Sequence, residues 1–149
     1  MAAPSRPLLQ VAIAVIERNG RYLLARRPAG SHLAGCWEFP GGKRRPGERW
    51  ADCLARELRE ELGVTARVGA RLQSIHFDYP DCRVHLEAFR CSVLQGVPKA
   101  ASASALKWMT PAQLARAECP PANRTLIELL AAHRVKTSIV KRPASRIVR

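Results

Sequence analysis

Between residues 49 and 62 apolar side chains recur every fourth position, at Trp50, Leu54, Leu58 and Leu62. That spacing predicts an amphipathic helix with one stripe to bury. Gly63 follows directly, where a helix end takes a left-handed residue without steric cost. Glu57, Glu60 and Glu61 stand three and four apart and so share one side of the helix. On a helical wheel Glu57 and Glu61 flank the Trp50/Leu54 edge of the stripe, close to the buried seam. A fold that accepts this helix must offer the stripe an apolar surface and the carboxylates something positive.

Sheet is the surface on offer. Leu8 to Glu17 reads as a strand, Asn19-Gly20 supplies the two positive-φ positions of a tight hairpin turn, and Arg21 to Ala25 returns. Pro28 to Pro40 reads as a loop, and Pro40-Gly41-Gly42 and Pro46-Gly47 bracket a basic turn. Beyond the helix, strands are expected at Val64 to Val68, Leu72 to Asp78, Arg83 to Leu94 and Leu106 to Met109. Thr110-Pro111 reads as the cap and first-turn proline of another helix, and Asn123 to His133 as a last one. Hairpins mixed with helical crossovers predict an α+β chain, with a mixed β-sheet sandwiched between helices in an α/β/α arrangement. One domain is expected over residues 1–134, followed by a basic, flexible C-terminal tail over 135–149.

Composition narrows the class. At 149 residues and 47% hydrophobic content the chain can bury one core. The apolar run Leu8 to Ile16 is far short of a bilayer span and leads into Glu17-Arg18-Asn19-Gly20, so it reads as a strand rather than a signal segment. Five cysteines, scattered and never spaced C-x-x-C, argue against a disulfide framework or a zinc site and fit a cytoplasmic protein. The net charge of +13 favours polyanions, nucleotide phosphates or nucleic acid. No aromatic residue is interleaved with the cations of the tail, so a solvated tail rather than a stable nucleic-acid partner is expected.

Clustered carboxylates at a half-buried edge repel one another unless protons or a cation neutralise them. A hard divalent cation with oxygen ligands does so, and magnesium commonly accompanies phosphates. The helix alone leaves this open, because an exposed, salt-bridged helix carries the same letters. Upstream, Gly42 and Gly47 frame a loop, Glu48 stands at the helix entrance, and Lys43, Arg44 and Arg45 provide countercharge for a di- or triphosphate. The whole segment GKRRPGERWADCLARELREELGV resembles the Nudix box, G-x5-E-x7-R-E-u-x-E-E-x-G-u with u aliphatic. Gly42, Glu48, Arg56, Glu57, Leu58, Glu60, Glu61, Gly63 and Val64 match without departure. Such a match arises on the order of once in a billion windows at average composition, which makes it specific. The resemblance implies Mg2+, with Mn2+ as a possible substitute, held by Glu57, Glu60, Glu61 and a backbone carbonyl near Gly41. It implies that Glu57 takes a proton from the attacking water while Glu48 and Arg56 orient the carboxylates.

Over most of the chain the sequence is similar to the MutT-type 8-oxo-dGTP diphosphatases. Arg27 in LLARRP, His32 in GSHLAG, the run Trp37-Glu38-Phe39-Pro40-Gly41-Gly42-Lys43, and Asn123 in PPAN carry this likeness. It implies that Arg27 and His32 lie near sugar and phosphates, that Glu38, Phe39, Pro40, Gly41 and Lys43 line the nucleotide site, and that Asn123 meets the base edge. The implied reaction converts 8-oxo-dGTP to 8-oxo-dGMP and diphosphate in a monomeric enzyme with no membrane partner. Outside this context Asn123 reads as an ordinary helix cap. Two positions depart from the pattern: Ser102 stands where relatives often carry a further metal-binding glutamate, and Cys82 replaces an arginine after the Pro80-Asp81 turn. A Nudix hydrolase of another, pyrimidine, triphosphate and a weakly catalytic nucleotide- or nucleic-acid-binding Nudix domain stay open as alternatives.

Overall fold

The computed structural model describes residues 5–132. Seven strands and three helices follow in chain order. Strand β1 (Leu8–Arg18) turns through Asn19 and Gly20, both at positive φ, into β2 (Arg21–Arg26). Short β3 (Trp37–Glu38) and β4 (Gly41–Lys43) precede α1 (Trp50–Leu62). Strands β5 (Thr65–Asp78), β6 (Arg83–Gln95) and β7 (Ala105–Met109) then lead to α2 (Pro111–Arg116), a 3-10 turn (Pro121–Asn123) and α3 (124–132).

The sheet is mixed, as expected. Its main path runs β3-β2-β1-β6-β5, with β4 added to β1 and β7 to β2. β1 and β6 run parallel from Leu8/Arg83 to Ile16/Cys91, and every other pairing is antiparallel. Alternation along β1 divides the core in two. Ala12, Ala14 and Ile16 join Cys53, Leu54, Leu58 and Leu62 of α1, and the two alanines let the helix approach closely. Ile13 and Val15 face the other way, joining Leu126, Ile127 and Leu130 of α3 with Tyr22, Leu24 and Phe39. Gly63 ends α1 at φ 70 with its N–H on the Arg59 carbonyl. Thr110 and Gln113 form a reciprocal capping box at the start of α2.

Three expectations are corrected. The two strands foreseen at Val64–Val68 and Leu72–Asp78 are one strand, β5, whose register shifts near Val68–Gln73 absorb the polar interruption. The loop foreseen over Pro28–Pro40 contains β3, which pairs with β2 through Ala25/Glu38 and Arg26/Trp37. Asn123 closes the 3-10 turn, with its N–H on the Pro120 carbonyl, instead of opening the last helix. His133 and the tail 135–149 lie outside the described residues. Among those described, no helix is long and apolar enough to cross a membrane.

Candidate active site

Gly41 and Gly42 form the joint between β1 and α1, and neither position has room for a side chain. A Cβ on Gly41, at φ 155, would lie 2.0 Å from the Ala12 carbonyl oxygen. One on Gly42 would lie 2.2 Å from Cδ of Glu57. The helix carboxylates therefore stand directly against the β4 backbone. Glu61 accepts the Gly41 N–H at 3.1 Å. Burial pushes its carboxyl up to about 7, against the Gly41 hydrogen bond and aided by the charges of Glu38 and Glu57.

Arg56 holds the remaining acids. Its Nε and Nη2 donate to the two oxygens of Glu48 at 2.7 and 2.9 Å, a bidentate pair in which both side chains are about four-fifths covered. Nη1 reaches Glu57 Oε1 at 2.8 Å and Glu60 Oε2 at 3.3 Å. Hydrogen bonds from Arg56 and from the Arg45 N–H hold the Glu48 carboxyl down at about 2. The helical-wheel expectation holds for Glu57, whose side chain is 19% exposed, and for half-buried Glu61; Glu60 is 53% exposed. Among the described residues no three acidic, histidine or cysteine side chains converge on one point. Each carboxylate instead takes the nearest donor the protein offers. The donor set still fits a hard divalent cation: carboxylate oxygens on one helix face, with half-buried Glu61 hydrogen-bonded to an amide N–H.

Beside this joint opens a cleft of about 540 Å³. Arg27, His32, Glu38, Phe39, Gly41 and Lys43, all between residues 27 and 43, line it together with Asn123 from far along the chain. Arg27 pairs with both oxygens of Glu38 at 3.0 and 3.2 Å and donates to the His32 carbonyl at 2.6 Å. Burial raises the Glu38 carboxyl above its ordinary value despite this partner. Leu9, Val11, Ile13 and Phe39 provide the apolar floor. Asn123 is 5% exposed, and its side-chain amide has no hydrogen-bond partner among the described residues.

Several expected residues fall elsewhere. Pro40 is buried, its carbonyl accepting the Ala14 N–H at 2.8 Å, and it is not on the cleft wall. Of the three cations before the helix only Lys43 lines the cleft. Arg44 turns to Gln10 and the Glu48 carbonyl and lies over the Trp50 ring, and Arg45 lies 3.8 Å from Glu60. Cys82 sits on the cleft wall. Ser102 is exposed, in a segment docked on the end of α1 by the Ala101 N–H to the Glu61 carbonyl. Tyr79, also on the wall, was missed; a lone tyrosine ahead of a Pro-Asp turn carries no signal in the sequence.

A NUDIX domain model matches residues 11–129. The CTP pyrophosphohydrolase of Escherichia coli (strain K12) is 40% identical over 127 residues, covering 85% of this chain and 94% of that protein. The 8-oxo-dGTP diphosphatase of the same organism is 32% identical over 123 residues, 82% of this chain and 95% of that protein. The crystal structure of a MutT protein from Methanosarcina mazei Go1 superposes with a TM-score of 0.77 at 26% identity, covering 88% of this chain and 98% of that one.

Proposed function

This chain belongs to the NUDIX domain family, and on that premise we propose that it is a magnesium-dependent 8-oxo-dGTP diphosphatase. The observation that carries the substrate is Asn123, a residue 5% exposed on the wall of the cleft whose side-chain amide has no partner among the described residues. Oxidation at C8 puts a proton on N7 of guanine, so its edge presents a donor beside the O6 acceptor. One amide matches that edge with both of its groups. Against unmodified guanine the amide oxygen would face the N7 lone pair, an unpaired and repulsive contact.

Glu57, Glu60 and Glu61, with the Gly41 carbonyl, would hold the cation, Mn2+ serving in place of Mg2+. When bound, it neutralises diphosphate oxygens and acidifies a water. Arg56 engages Glu57 through Oε1, which leaves Oε2 to accept the proton of the attacking water. The water oxygen bonds to phosphorus, a bridging P–O bond breaks, and diphosphate leaves with the electron pair, giving 8-oxo-dGMP. Glu48 keeps Arg56 in place, while Arg27, His32 and Lys43 face the sugar and phosphates. The protein is read as a cytoplasmic monomer with a domain over 1–134 and a basic tail over 135–149.

Asn123→Ala tests the reading. It should lower kcat/KM far more for 8-oxo-dGTP than for dGTP, since sites of this kind discriminate by up to ~10⁴. A residue that only supported the final helix would cost about 1 kcal/mol of stability and leave the ratio between substrates unchanged. A pyrimidine triphosphate is the second reading, favoured by the 40% identity to a CTP pyrophosphohydrolase.

A further inference from the structure

We infer that Tyr79 positions Asn123, and so sets base selectivity, by holding the turn Pro121–Asn123 from across the cleft. The inference rests on the reading of Asn123 as the base-edge contact. Pro120 and Pro121 have no N–H, and the Asn123 N–H is taken by the Pro120 carbonyl at 2.9 Å. That leaves the N–H of Ala122, which is buried at 3% exposure and must find an acceptor. The Tyr79 hydroxyl oxygen accepts it at 3.3 Å, across 43 residues of sequence.

Tyr79 is itself anchored. Its carbonyl accepts from Arg6 Nη1 at 2.7 Å, and its N–H donates to the Cys82 carbonyl at 2.8 Å around the Pro80-Asp81 turn. Its ring packs on Phe77 at 4.8 Å and meets His32 edge-on at 6.2 Å. The Asn123 amide has no partner among the described residues, so the turn that carries it and its packing set its direction. Hydrogen bonds weaken steeply with misalignment, so a loosened turn would cost base readout before it cost the fold.

Tyr79→Phe removes the hydroxyl and keeps the ring. The expected result is a fall of about 3–10-fold in the 8-oxo-dGTP to dGTP ratio of kcat/KM, the scale of one neutral hydrogen bond. Hydrogen exchange at the Ala122 amide should quicken by a similar factor. In an Asn123→Ala background the same change should leave the ratio where it is, since the two act as one unit. A ratio that survives Tyr79→Phe but collapses in Asn123→Ala would overturn this inference alone. Additive losses would also overturn it, by making Tyr79 an independent contact. If neither variant moves the ratio, the Asn123 reading falls and this inference with it.

Discussion

Glu61 meets two opposing surroundings, a buried position that disfavours its charge and a Gly41 N–H that favours it, and burial wins. In the metal-free protein its carboxyl keeps its proton up to about 7, whereas the unfolded chain releases it near 4.5. A raised folded value means stability that is fully present below 4.5 and is lost as pH climbs through 7. A cation bound there would reverse the loss. Glu61→Gln should therefore flatten the pH dependence between 5 and 8, raise the melting temperature of the metal-free protein at pH 8, and abolish its rise with magnesium. Calorimetry at both pH values checks this; an unchanged pH slope would contradict it. Glu57→Gln and Glu61→Gln should each lower turnover by at least ~10²-fold with the fold intact. Near-wild-type turnover in both would remove the metal assignment.

Helix α1 was legible because it is local: one period, one glycine stop and one buried face fix it before any partner is known. The hairpin at Asn19-Gly20 was legible for the same reason. The parallel pairing of β1 with β6 was not, because it joins Leu8 to Arg83 across about half of the chain and leaves no short-range mark. Nor was the fate of Arg44, which the sequence places among phosphate-binding cations and which Gln10, the Glu48 carbonyl and Trp50 take up instead. The box residues were readable by spacing, and the resemblance implied that Glu48 and Arg56 orient the acids; which oxygen each Arg56 nitrogen meets came only with the structure. At this scale the segment 99–104 also makes a prediction. The Lys99 and Ala101 N–H groups bond the Leu62 and Glu61 carbonyls, which brings the backbone next to Ser102 to the C-terminal end of α1. Ser102→Glu should then lower the magnesium concentration for half-maximal activity. An unchanged magnesium curve would show that position 102 has no part in the cation site.

For the whole molecule, the sheet divides the labour. α1 packs on one face and carries the acids, while the other face provides the apolar floor of the cleft below Asn123. The net charge of +13 favours polyanions such as a polyphosphate. Charge does not choose among nucleotides, so selectivity must come from the cleft. The measurement that tests this most directly is kcat/KM with magnesium for 8-oxo-dGTP, dGTP, CTP and dCTP under one condition. 8-oxo-dGTP is expected to lead dGTP by ~10² or more, with both pyrimidines behind it. CTP or dCTP in the lead, or equal use of 8-oxo-dGTP and dGTP, would contradict it.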